Sequence, residues 1–290
     1  MIQLTLCSAK GAPGVTTLAC VLGAVWPVDR AVVVAECDPS GGDLAGRFSL
    51  STRTGMTSLV LAGRQGMVES EDHTGHTQTL PGGLDVLVAP TGADSATALD
   101  RELGLSSADL ISGDCDLLAD CGRLLPHAPG QERMVRDADR VLLLVRPDLA
   151  GIAHAQWAGT RIRQLSKSRS SVVIVGPGVF KPHELARELD STVIGSIPFD
   201  PAAALMAGGG PGTAKDFSRS ALVASAREIV ATLIEETTSD TTPGHGQPGG
   251  TAKRPVPESR SRIRRRLRSA PEASEPLLIP SNKSPRTVSP

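Results

Sequence analysis

The sequence predicts an α/β fold, a mostly parallel sheet with helices on both faces, followed by a disordered C-terminal tail. Three observations predict it. Short apolar runs alternate with helix-period segments along the first 235 or so residues, the pattern of strand–helix–strand units. Several of those runs are continuous rather than alternating, as in Ala31–Ala35 and Val141–Val145, which suits strands buried on both faces. The runs end in acidic, glycine or proline residues, as expected where strands open onto a ligand crevice.

Taken in order, Ile2, Leu4 and Leu6 alternate with polar residues in a first strand near 2–7, and Leu18, Ala19, Val21 and Leu22 recur at helical spacing in a helix near 15–25. Further strands are expected near 31–36, 84–89, 115–120, 140–146, 171–176 and 193–197. Helices are expected near 43–49, 94–103, 129–136, 150–167, 182–189 and 217–235. The polar stretch Glu69–Thr79, with His73 and His76, reads as a loop or hairpin turn. The division into domains is residues 1–237, the α/β body, and 238–290, a disordered Pro/Ser/Arg-rich tail.

The segment between the first strand and first helix is Ala-Lys-Gly-Ala-Pro-Gly-Val-Thr-Thr, residues 9–17. Gly11 and Gly14 let backbone N–H groups converge on an anion, and the following helix presents its positive end to the same point. Thr16 offers a hydroxyl to magnesium. Val15 occupies the place before the two threonines where such a loop carries a lysine, and supplies neither charge nor donor. Two further segments bring carboxylates to strand ends. The run 31–38 closes in Glu36-Cys37-Asp38 before Pro39-Ser40-Gly41, and Asp116-Leu-Leu-Ala-Asp120 ends in a second carboxylate.

Together these motifs resemble the ParA/MinD family of ATPases, whose deviant Walker A loop begins with a lysine. Lys10, Gly11, Gly14, Thr16 and Thr17 match that loop, whereas Ala12, Pro13 and Val15 stand at its glycine, variable and lysine positions. The resemblance implies that the loop, Lys10 through Thr17, binds ATP, and that Lys10 reaches the nucleotide of a partner in a nucleotide-dependent homodimer. It implies catalytic roles for Lys10 and Asp38. Magnesium falls to Thr16, Asp38 and Asp120, partly through water, with Glu36 near the metal shell. Ile194 to Asp200 resembles the family's last strand and Pro-x-Asp turn, placing Pro198 beside the base. The asparagine with which many members read adenine is absent; Gly176-Pro177-Gly178 stands there. The function implied is a nucleotide-dependent positioning protein, serving chromosome or plasmid partitioning, septum placement or secretion and pilus localisation through a cargo or adaptor protein. With Val15 at the lysine position, ATP is bound with weak or no hydrolysis. A second reading stays open, a nucleotide-free scaffold acting through protein partners and its tail.

Composition bounds the rest. Five cysteines, Cys7, Cys20, Cys37, Cys115 and Cys121, lack paired metal spacing and read as buried core residues of a reducing compartment. No run approaches the ~20 apolar residues of a membrane span, so a cytoplasmic protein is expected. The 290-residue chain carries a net charge of −1, but this hides a dipole: residues 241–290 hold ten Lys and Arg against three Glu, leaving 20 against 28 in the body. Nine of the 22 prolines fall in that tail. The cluster Arg260–Arg268 is the candidate contact for DNA or an anionic membrane, which would add nucleoid or membrane association to a cytoplasmic location.

Overall fold

The computed structural model describes residues 1–10, 13–64, 73–105, 111, 115–166 and 169–240. Gly11, Ala12 and the basic tail from 241 onward lie outside the described residues. The strands are β1 (Gln3–Ser8), β2 (Val32–Glu36), β3 (Gln78–Thr79), β4 (Asp85–Leu87), β5 (Asp116–Arg123), β6 (Arg140–Val145), β7 (Arg169–Val175) and β8 (Thr192–Ile197). The helices are α1 (Val15–Ala24), α2 (Leu44–Phe48), α3 (Met56–Arg64), α4 (Ala93–Leu105), α5 (Pro129–Asp137), α6 (Leu149–Leu165), α7 (Pro182–Leu189), α8 (Pro201–Ala207), α9 (Ala214–Ser218) and α10 (Ala221–Asp240).

All eight strands join one sheet in the order β3-β4-β2-β5-β1-β6-β7-β8, parallel except where β3 pairs antiparallel with β4. Successive strand residues point to opposite faces, so the apolar runs feed two cores. On one face Val33, Ala35, Leu117, Ala119, Val141 and Leu143 pack against residues of α3 to α7. On the other, Leu4, Leu6, Val34, Leu118, Leu142 and Leu144 pack against α1 and α10. Helices thus cover both faces, as the continuous apolar runs require. All five cysteines are buried and free.

The chain order places β1 in the middle, between β5 and β6. Leu6 lies opposite Asp120 and Glu36 lies opposite Asp120 on the other side, so three adjacent strands end at one level. Immediately beyond, the β1–β5 register slips between Leu6 and Ser8, a bulge that takes up Cys121 and Gly122. Gly122 adopts φ +52°, in the left-handed region.

Three features depart from the sequence expectation. Helix α3 and helix α8 lie where the hydrophobic pattern predicts none. α3 buries only Met56, Leu59 and Val60, and it begins at Gly55, where an added Cβ would sit 2.3 Å from the Val88 carbonyl oxygen. Tertiary contact starts that helix rather than a cap. α8 is capped by Asp200, whose side chain accepts from the Ala203 N–H at 3.0 Å with Pro201 following, but seven residues are too few for a period to show. The single helix expected near 217–235 is broken at Arg219 and Ser220, where Ser220 Oγ accepts from the Val223 N–H at 3.2 Å and starts α10 afresh.

Candidate functional site

The three central strands deliver their motifs to one end of the sheet. Between β1 and α1, Gly14 adopts φ +86°, ψ +39°, and its carbonyl accepts the first helical bond, from Leu18 N–H. An added Cβ there would meet nothing closer than 3.9 Å, so glycine is demanded by backbone conformation and not by space. Among the described residues no side chain caps the first turn of α1, which leaves its N–H groups for an anion. Val15, the first residue of the helix, is buried and joins the core with Leu18, Leu6 and Leu44. It has become a packing residue.

Thr16, one place on, makes the connection that organises the site: its hydroxyl donates to the Asp120 carboxyl. Asp120 is buried and also accepts from the Gly122 N–H at 3.0 Å. Burial pushes its pKa up to about 7, the neighbouring Glu36 and Asp38 charges add to the rise, and the two hydrogen bonds oppose it. Asp38, half-buried at the end of β2, accepts from the Ser40 N–H at 2.7 Å and from the Arg123 N–H. Burial raises its pKa too. A Cβ on Gly122 would lie 1.7 Å from Asp38 Oδ2, so the glycine in the bulge makes room for this carboxylate.

Glu36, expected near the metal shell, lies beside Asp120 and is held by backbone donors. One of its oxygens accepts from the Asp43 and Leu44 N–H groups at 2.6 and 2.9 Å, and the other from Ala89 N–H at 3.0 Å. Committed to three backbone donors, it anchors the start of α2 and the end of β4. Burial raises its pKa against those bonds.

Two cavities flank the loop. One, of about 200 Å³, is lined by Pro13, Gly14, Thr17 and Leu18 on the loop side and by Val175, Ile197, Pro198 and Phe199 across from them. Pro198 therefore faces the loop, while Asp200 is spent on capping α8. Gly176, at φ +72°, closes the strand end where an asparagine was missed, its N–H donating to the Ile197 carbonyl at 2.8 Å. The second cavity, of about 180 Å³, is lined by Ala9, Lys10, Pro13, Arg146, Asp148 and His154. Lys10 is exposed and borders this second cavity, not the first. The structure thus gathers Pro13, Gly14, Thr16, Thr17, Asp38, Asp120 and Pro198 at one end of the sheet and sets Lys10 to the side. Gly122, the Arg123 N–H and Arg146 are additions; a glycine after the β5 aspartate is the one signal the sequence held for them.

No family model matches the sequence, and no curated protein matches it. Solved structures do. A ParA family ATPase from Chlorobium tepidum TLS superposes with a TM-score of 0.64 at 16% identity, covering 80% of this chain and 98% of its own. The septum site-determining protein MinD complexed with Mg-ADP, from Pyrococcus horikoshii OT3, gives 0.65 at 16% identity, covering 83% and 99%. The MinC:MinD cell division protein complex from Aquifex aeolicus gives 0.59 at 17% identity, covering 85% and 99%. The structural neighbours are ParA/MinD family ATPases, and this chain has their fold.

Proposed function

We propose that this protein is a nucleotide-dependent positioning switch of the ParA/MinD kind, one that binds ATP with magnesium and hydrolyses it feebly or not at all. The observation that carries the reading is the Thr16–Asp120 hydrogen bond at the mouth of an uncapped glycine loop. A hydroxyl and a carboxylate in contact, with Asp38 beside them, form a hard-oxygen donor set suited to magnesium. The buried Asp120 carboxyl, raised by its burial and by the charges of Glu36 and Asp38, is one that a cation relieves. Thr16 and Asp120 would hold the ion, with Asp38 holding a water; the ion would neutralise phosphate charge.

The loop and α1 then bind phosphates through N–H groups, while the apolar wall of Val175, Ile197, Pro198 and Phe199 takes the base. What is missing is charge at the transferred phosphoryl group. Val15 lies in the core, and a lost contact of this kind removes several kcal/mol of transition-state stabilisation. Binding survives such a loss better than turnover does. That Lys10 is exposed and borders its own chain's second cavity supports a role at a partner's nucleotide, in a homodimer that recruits a cargo or adaptor protein.

The buried Val15 favours a second reading, a nucleotide-free scaffold. The Thr16–Asp120 contact opposes it, since a scaffold gains nothing from burying a carboxyl whose pKa climbs to about 7. Light scattering on the eluting full-length chain separates the two. The switch reading expects a monomer that doubles its mass with magnesium and ATP, and a Lys10→Ala variant that does not; a mass indifferent to nucleotide supports the scaffold.

A further inference from the structure

We propose that Arg146 is the phosphate-binding cation of this site, standing in for the lysine that Val15 displaces. The assignment rests on the nucleotide reading above and names the residue that lets the loop hold a polyphosphate.

β1 and β6 are neighbours, with Ser8 opposite Leu144, so the segments that carry Lys10 and Arg146 leave adjacent strands at the same end of the sheet. Arg146 lines both the cavity containing Gly14, Thr17 and Pro198 and the cavity containing Ala9 and Lys10. Among the described residues Pro13, Leu144 and Arg146 border both, and of these Arg146 carries charge. It stands on the boundary between the apolar base cavity and the start of the loop, where a sugar–phosphate chain must pass.

The backbone that carries it is held firmly. Its carbonyl accepts from the Asp148 N–H at 2.8 Å and is packed so closely by Gly151 that an added Cβ there would approach it to 2.2 Å. Gly178 packs equally closely on the Pro147 carbonyl, 2.2 Å from where its own Cβ would stand. A side chain on such a turn starts from a fixed point. Arg146 is nevertheless exposed and has no carboxylate partner among the described residues, whereas Arg47 is tied to Asp43 at 2.6 Å.

A guanidinium is charged at every physiological pH and matches phosphate with two parallel donors, so it restores anion affinity that the valine removes. It comes from the wall opposite α1, not from the helix that a loop lysine springs from. Charge supplied there holds the ligand without following the phosphoryl group through transfer, which is how tight binding and poor turnover coexist.

The test is competition of magnesium-ATP against a fluorescent ATP analogue on the full-length chain. Arg146→Ala should weaken ATP by tenfold or more, and Arg146→Lys by less, since it keeps charge but loses the fork. Arg136→Ala, which removes the same charge at the exposed last turn of α5, should leave affinity unchanged. Adding Val15→Lys to Arg146→Ala should restore binding, a recovery that a merely structural arginine would not permit. Thermal melts of each variant check that Arg146→Ala folds. ATP affinity equal in the native chain and Arg146→Ala overturns the assignment while leaving the nucleotide reading intact. A native chain that does not bind overturns both.

Discussion

Asp120 sets a cost that the rest of the site must justify. With its folded pKa at about 7 against an ordinary 3.8, the folded state favours the protonated carboxyl, so its contribution to stability is full below about pH 4 and is lost as pH rises through 7. Asp120→Asn should therefore melt higher than the native nucleotide-free chain at pH 8, by up to about 4 kcal/mol, with the gap closing toward pH 4. A gap of constant size would show that the aspartate's charge is not what is being removed. Gly122 sits beside it under a different constraint. Its φ of +52° and the 1.7 Å from its absent Cβ to Asp38 Oδ2 predict that Gly122→Ala costs about 2 kcal/mol in denaturant unfolding and displaces Asp38. At this scale Thr16, Asp120 and Pro198 were legible in the sequence because spacing within a motif is local. Glu36 was not, because its three backbone donors lie at residues 43, 44 and 89. Arg146 was not, because only strand order brings it to the loop.

The elements are anchored from the other end of the sheet. Asp116, the first residue of β5, is fully buried and accepts from Ile2 N–H at 2.6 Å, Trp26 Nε1 at 2.8 Å and Arg30 through two bonds at 2.6 and 2.7 Å. It ties β1, the segment after α1 and β5 together, so the loop is held at a fixed level above the three strands. Arg30 and the other donors outweigh burial and keep its pKa below the usual 3.8. That stability is present at neutral pH and lost as the carboxyl protonates below about pH 4. Arg30→Ala leaves a buried charge short of a partner; because Arg30 is about a third exposed, about 2 kcal/mol is expected at pH 7, shrinking toward pH 3. Equal losses at both pH values would contradict the pairing. Strands and long helices were legible here because seven strand runs and α1, α4, α5, α6 and α7 carry their own periodicity. α3 and α8 were not, since one is started by contact with Val88 and the other is seven residues long.

For the whole molecule the charge asymmetry matters most. The body up to 240 is acidic and the tail basic, with Arg260–Arg268 the densest cluster. Removing residues 241–290 should leave nucleotide affinity unchanged and abolish salt-sensitive binding to duplex DNA or anionic vesicles. Retained binding to both surfaces would detach the tail from positioning. The two-faced sheet was legible from the apolar runs, since strands buried on both sides need helices on both sides. Whether the loop holds its ligand was not, because one residue, Val15, argues against it and a distributed set argues for it. This set, without a loop lysine, is expected still to bind. Calorimetric titration of the full-length chain with ATP, with and without magnesium, beside Asp120→Asn, tests it most directly. Saturable, magnesium-dependent heat from the native chain and its loss in Asp120→Asn is the expected result; no saturable heat from the native chain would show that the set does not bind.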